Sequence, residues 1–476
     1  MRSFVSGRTI ATSFGWFFAS LLAFSTLSQP GATQDEWQHL ASIWCGRGER
    51  APYCTEIREI DGVRSATVNF GVLSCNPAPD VPLSCPANEG ASSRQQTFSQ
   101  GTSWIFYFVM SWLVSPSVEL SVFLMRIVNA ILITVVLGLL IWLLPRRHQF
   151  VSLLTTLATL NVSGYFLFAS LNPTSWMILG GGLGWLAFHA ASAPWKLSKR
   201  HRSALVVVGT LLIVMSLSVG NLALYPLIVA GVFLLVDWAA SHGFTLRLLA
   251  PTLSLLAVIL AVTVLSVIYQ VPPDEVLLTI PKVLQGFATV PSSSQIRLSV
   301  MSYILALLLL AVLFILTHNR ASHRQFLGAV SAIGVSSLAV AHHSPGSQLA
   351  FRSMADEIGA LRIDARLSVP LLMIATSWWF LHGPQDMQHN IRKHLRLIYG
   401  VALVVFALTA FGIVERYVDR QTFGLRMVPD GPSQWWWPGL PLPPSVMMVM
   451  SVAFLWRFFS GIRDVFEGSI SKETLP

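Results

Sequence analysis

The chain has 476 residues, of which 53% are hydrophobic and only 11% charged, and its mean hydropathy is +0.62. Soluble domains carry about 25% charged residues, so this composition leaves too little polar surface to cover a water-facing globule and excludes an ordinary soluble protein. The net charge of +9 does not point to nucleic acid, because the basic residues concentrate in short loops between apolar runs.

Those apolar runs are about 17 to 24 residues long, the length a helix needs to cross roughly 30 Å of hydrocarbon. Barrel strands would instead alternate over about ten residues. In chain order, spans are expected near 9–28, 121–144, 149–169, 175–193, 204–220, 222–239, 248–269, 298–317, 325–341, 367–382, 397–414 and 441–459. The expected fold is therefore an all-α polytopic membrane protein of about twelve transmembrane helices.

Residues 1–28 follow the pattern of a signal anchor, with Arg2 and Arg8 before the first apolar run. Cleavage near Ser28 to Ala32 is the alternative, although no clean small-x-small site stands there. Residues 29–120 form the one large hydrophilic loop, containing Trp104 to Val114, an apolar stretch short enough to be re-entrant or interfacial. Residues 121–459 make up the multi-helix domain, and 460–476 a tail.

Basic residues fall in every second short loop: Arg146 and Arg147; Lys196, Lys199, Arg200 and Arg202; Arg320 and Arg324; Arg392, Lys393 and Arg396. The positive-inside rule makes these loops cytoplasmic, together with both termini. Membrane lipids with anionic headgroups are their expected partners, and no nucleic acid is implied. Most acidic residues, among them Asp35, Glu36, Asp274, Glu275, Asp364, Glu415, Asp419 and Asp430, fall in the loops on the opposite side.

All four cysteines, Cys45, Cys54, Cys75 and Cys85, lie within the large loop. An oxidising compartment would pair them as two disulfides, each worth about 2 to 4 kcal/mol, with three pairings open. A zinc site is the alternative, but the spacing lacks a C-x-x-C knuckle. The same loop opens with Gln34-Asp35-Glu36-Trp37-Gln38-His39. On a helix, Asp35 and His39 share a face and could hold a divalent cation or move a proton; the plainer reading is an acidic helix N-terminus beside a surface histidine.

Further along, Arg126 lies inside the second span, where Glu119 or a lipid headgroup is its expected partner. Asn172-Pro173 is a turn and helix-start signal. Asp274-Glu275 reads as a solvated helix cap, His342-His343 as a pair with nothing near in sequence to complete a metal site, and Trp435 to Trp437 as an interfacial anchor or a sugar-stacking surface.

Taken together, Asp35-Glu36-x-x-His39, Arg126-Ile127-Val128-Asn129, Asn172-Pro173-Thr174-Ser175-Trp176, Ala365-Arg366-Leu367-Ser368-Val369-Pro370-Leu371, Arg416-Tyr417 and Trp435-Trp436-Trp437-Pro438 resemble, in order, the motifs of the bacterial membrane family called domain of unknown function 2142. Two departures stand out: that family's Gly-Arg-Tyr is Ala-Arg-Leu here, and the acidic residue often found after Asn-Pro-Ser is absent.

The resemblance extends to the GT-C integral-membrane glycosyltransferases and implies a multi-pass protein of the bacterial inner membrane. Its implied activity is transfer of a sugar from a polyprenyl-phosphate donor to an envelope acceptor outside the cytoplasm. By this resemblance Asp35, Glu36 and His39 are the catalytic candidates, with Asp35 also the candidate ligand of a divalent cation, Mg or Mn. Arg366, Arg416 and Arg126 are candidates for the donor phosphate, and Asn172 and Trp436 for substrate contact. A transporter or flippase of lipid-linked saccharide, or a non-catalytic envelope-assembly protein, is the competing class.

Overall fold

A computed structural model describes residues 7–27, 36–47, 54–60, 63–68, 94–98, 104–159, 163–192, 197–219, 223–241, 313, 365–383, 391–417, 442 and 444–467. The expected spans at 248–269, 298–317 (Leu313 excepted) and 325–341 lie outside the described residues, as do Asp35, Cys75, Cys85, Asp274-Glu275, His342-His343 and Trp435 to Trp437.

The membrane portion is helical. Its helices are α1 (Gly7–Ser25), α2 (Glu36–Trp44), α3 (Trp104–Ser111), α4 (Val118–Leu143), α5 (Arg146–Thr159), α6 (Ser163–Phe168), α7 (Thr174–Ser192), α8 (Lys199–Leu217), α9 (Leu224–Ser241), α10 (Ala365–His382), α11 (Leu395–Tyr417) and α12 (Pro444–Glu467). Among the described residues three stretches are long and apolar enough to cross a membrane: Val118–Leu143, Lys199–Leu217 and Ser445–Arg463. Pro226–Leu235, Val369–His382 and Leu395–Phe411 are shorter apolar helices.

One boundary differs from expectation: α12 runs on to Glu467, well into the segment read as a tail, while α5 and α6 cover most of the span expected at 149–169, of which residues 160–162 lie outside the described residues. Ile462 in the continuation of α12 is buried, as are Phe458 and Phe459 just before it, so packing carries the helix beyond its apolar stretch.

The large loop contains α2, α3 and a three-stranded antiparallel sheet in the order β1 (Cys54–Ile60), β2 (Val63–Val68), β3 (Arg94–Phe98). Ile60 pairs with Val63 and Arg64 with Phe98, so consecutive strands are neighbours. A sequence signal for the first pair exists in Asp61-Gly62, a dipeptide suited to two-residue hairpins. At eight residues, α3 is too short to cross the bilayer and packs against α2.

Aromatic and small residues set the packing. Phe14 and Phe17 of α1 meet Phe458 of α12 at centroid distances of 5.4 and 4.9 Å, and Phe24 meets Tyr165 and Phe406. Within this apolar layer Ser20 donates to the Ser451 carbonyl at 2.7 Å, Ser451 donates back to the Ser20 carbonyl at 3.0 Å, and Tyr165 bonds Ser20. Such polar contacts join helices where lipid offers no alternative partner. Helix α7 approaches α8 and α10 through Gly180 to Gly184: a Cβ on Gly180 would collide with the Leu212 carbonyl oxygen, and one on Gly182 would sit 2.7 Å from the Met373 sulfur.

The outward faces are apolar too. Leu120, Leu124, Ile131, Val135, Leu139 and Trp142 are exposed along α4, and Val206, Val207, Leu211 and Val214 along α8. In water such stripes would be a liability; against acyl chains they are the expected surface.

Candidate functional site

Helix α7 starts beside the large loop and finishes beside the basic segments, so it defines a loop end and a basic end of the bundle. At the loop end, residues from five segments build one buried polar network. Arg126, about two turns into α4, is fully buried and faces Glu36, the first residue of α2, which is equally buried. Its Nε donates to Glu36 Oε1 at 3.0 Å and its Nη2 to Oε2 at 2.6 Å, a two-pronged pair, while Nη1 donates to the Ser25 carbonyl at the end of α1 at 2.6 Å. The Leu171 amide adds a bond to Glu36 Oε1 at 3.1 Å.

This geometry follows from what a charge needs in a dry interior. A guanidinium and a carboxylate can be buried together only when their forks match and their remaining donors and lone pairs find partners. Ser25 and Leu171 supply those partners from the ends of two neighbouring segments.

One turn further along α4, Asn129 continues the network. Its amide donates to the Ser170 carbonyl at 2.9 Å and its carbonyl accepts from the Trp176 indole at 2.9 Å. Asn172 accepts from the Thr174 amide at 2.9 Å through Oδ1, and its backbone carbonyl accepts from the Ser175 amide and hydroxyl. Asn172 thus caps α7, with Pro173 in the helix-entry turn. His39 Nδ1 meets the Tyr107 hydroxyl at 2.9 Å, linking α2 to α3, and Phe106 lies edge-on to Trp176 at 5.0 Å.

Three motifs separated in sequence therefore meet at one place: Glu36 and His39, Arg126 and Asn129, Asn172 and Trp176. Arg126 pairs with Glu36, ninety residues away, rather than with Glu119, which accepts from Ser117 at 3.1 Å near the surface. Arg126, one of the residues expected at the donor phosphate, is fully buried and donates to Glu36 and to the Ser25 carbonyl. Glu36, a catalytic candidate, holds that guanidinium, and Asn172, a substrate candidate, is buried as a cap. Asp35 immediately precedes Glu36 but lies outside the described residues. Arg366 is the second residue of α10 and Arg416 the penultimate residue of α11, both at helix termini. Trp436 lies outside the described residues.

Cys45 is disulfide-bonded, and no free cysteine is found among the described residues.

The basic end holds a second polar cluster that sequence reasoning missed. His189 of α7 and His382 of α10 place their Nε2 atoms 3.0 and 3.1 Å from Asp237 Oδ2 of α9, and His148 of α5 meets His189 Nδ1 at 2.8 Å. Arg147 donates to the Leu381 and Gly383 carbonyls at 2.5 and 3.0 Å, and His201 bonds the Leu143 carbonyl at 2.5 Å. The only sequence signal was that each residue stands at the same end of an expected span.

The family model described as "Predicted membrane protein (DUF2142)" matches residues 17–275, more than half of the chain. The matched segment includes Glu36, Arg126, Asn129, Asn172 and Trp176 but ends before Arg366 and Arg416. No curated protein and no solved structure matches.

Proposed function

We propose that this chain, which belongs to the DUF2142 family of predicted membrane proteins, is an integral-membrane glycosyltransferase that moves a sugar from a polyprenyl-phosphate donor to an envelope acceptor. The reaction is placed at the loop end, on the extracytoplasmic face of a bacterial inner membrane, with both termini in the cytoplasm. The observation that carries the reading is the anchoring of α2: the Glu36 and Arg126 pair ties the helix start to α1, α4 and the segment before α7. Asp35 directly precedes the anchored Glu36 in the sequence.

In this reading Asp35 accepts the proton of the acceptor hydroxyl as its oxygen attacks the anomeric carbon. The bond from that carbon to the donor phosphate oxygen breaks, and the phosphate leaves with the electron pair. Arg366 and Arg416, at the helix termini, supply positive charge for it, and a guanidinium can give the phosphate two hydrogen bonds. A lipid-linked donor lies with its phosphate in the headgroup plane, the level at which spans end. Disulfides among Cys45, Cys54, Cys75 and Cys85 would fix the loop above this site, and Trp436 would stack on the sugar. His39, held by Tyr107, positions α2 rather than exchanging protons. No step is routed through a divalent cation.

The test is transfer from a polyprenyl-phosphate sugar in proteoliposomes containing the purified protein. Asp35→Asn keeps size and most hydrogen bonding but removes the charge, so transfer should be abolished with folding unchanged; Arg366→Lys should weaken use of the donor. Wild-type transfer by Asp35→Asn protein would remove the base from the scheme and favour a transporter or assembly role.

A further inference from the structure

At the basic end, α7, α9 and α10 bring together two imidazoles and one carboxylate that share no neighbourhood in sequence. His189 Nε2, Asp237 Oδ2 and His382 Nε2 all lie within 4.8 Å of one another. Their side chains are 14, 13 and 17% exposed, which leaves an approach for water on a site otherwise walled by protein.

We propose that these three side chains form a binding site for a divalent first-row transition ion of the Zn2+ class. Bonds of about 2.0 to 2.1 Å in a tetrahedral arrangement put ligand atoms about 3.3 Å apart, so the observed 3.0 and 3.1 Å from Asp237 need a few tenths of an ångström of opening, and the two imidazole nitrogens, within 4.8 Å of each other, settle to the same spacing by small ring movements. Two nitrogen donors and one oxygen donor suit Zn2+ and its neighbours rather than Mg2+ or Ca2+, which prefer oxygen alone. Three protein ligands leave the fourth position to water.

The surroundings supply what a metal-bound imidazole needs behind it. With His189 protonated on Nδ1, its Nε2 lone pair faces Asp237 and its Nδ1 proton is donated to His148 Nε2 at 2.8 Å. This second bond fixes the tautomer and ring orientation, as outer partners of metal-bound histidines do. Trp378 lies against His382 at 4.1 Å between centroids, and Trp185 edge-on to His189 at 5.9 Å, so both rings are held by packing. Neighbouring Arg147 is directed to the carbonyls of Leu381 and Gly383. An ion here would cross-link the ends of three helices.

The experiment uses the full chain in detergent micelles with an affinity tag free of histidine. After chelator treatment and its removal, the protein is titrated with Co2+, whose visible absorption reports coordination geometry, and then with Zn2+ in competition. Wild type should take up one equivalent of Co2+ with a four-coordinate spectrum, and Zn2+ should displace it. Asp237→Asn and His382→Gln should lose this binding, and His148→Gln should bind about 10- to 100-fold more weakly because it alters only the outer partner. His201→Gln, changed at the same end but outside the cluster, should bind as wild type does. If Asp237→Asn fails to fold, His148→Gln against His201→Gln still decides. Absence of Co2+ and Zn2+ binding by wild type at micromolar concentration, or equal binding by His148→Gln and His382→Gln, would overturn the site and leave a proton-sharing histidine and aspartate chain.

Discussion

The two polar clusters at opposite ends of α7 handle buried charge differently. At the loop end, Glu36 and Arg126 are wholly enclosed, matched fork to fork, and supplemented by the Ser25 carbonyl and Leu171 amide. At the basic end, one carboxylate oxygen faces two imidazole nitrogens, and each side chain keeps some exposure. The first arrangement is closed and self-complementary, which suits a fixed joint; the second converges several lone-pair atoms on one point, which suits a ligand. Buried charge by itself therefore does not mark a reaction centre: what matters is whether the partners neutralise each other or point together at a common space.

The largest effect expected from breaking this contrast is at the loop end. Arg126→Met strands the Glu36 carboxylate in a dry interior and should cost about 3 to 5 kcal/mol in reversible unfolding from detergent. Asp237→Asn, made in chelated protein, removes the comparable carboxylate at the basic end. There each side chain keeps some exposure and the imidazoles can remain neutral, so the cost should be smaller than that of Arg126→Met.

Helix α7 joins the two regions, and its close approach to α8 can be tested separately. Gly180→Ala forces a methyl group against the Leu212 carbonyl and should destabilise by about 1 to 3 kcal/mol. Gly15→Ala, where a methyl group meets nothing within 4 Å, should be neutral or slightly stabilising. Loss of the same amount by both variants would mean that close packing is not what Gly180 provides.

Part of this was legible in the sequence. Apolar run length placed α1, α4, α7, α8, α9, α10 and α11 to within a few residues, because bilayer thickness leaves little freedom in helix length. The loop-end motifs were legible as motifs but not as one network, since no local rule connects Glu36 with Arg126 ninety residues later. Glu119 looked the better partner for Arg126 because helix spacing is visible in sequence and tertiary contact is not. The basic-end cluster was invisible for the same reason, with Asp237 and His382 separated by 145 positions. The strands were missed because the loop was read for its cysteines, although Asp61-Gly62 carried a hairpin signal.

Smaller effects sharpen the description of the loop end. Asn172→Ala removes the acceptor for the Thr174 amide and should cost about 1 kcal/mol, whereas Asn172→Asp, which caps equally well, should cost less. A larger loss with Asn172→Asp would point to the charge disturbing the adjoining Glu36 and Arg126 pair. Smallest is Ser451→Ala: removing one of the serine bonds between α12 and α1 should cost about 0.6 kcal/mol by the usual worth of such bonds in membranes.

The most direct measurement of the closed-joint account is a double-mutant cycle on Glu36→Gln and Arg126→Met, read as unfolding free energy in one detergent. Each single variant should be destabilised, and the double variant should recover part of the loss, giving a coupling of about 2 kcal/mol or more because the two charges exist for each other. Additive losses, with no recovery in the double variant, would contradict the account and mean that Glu36 and Arg126 serve separate partners at the loop end.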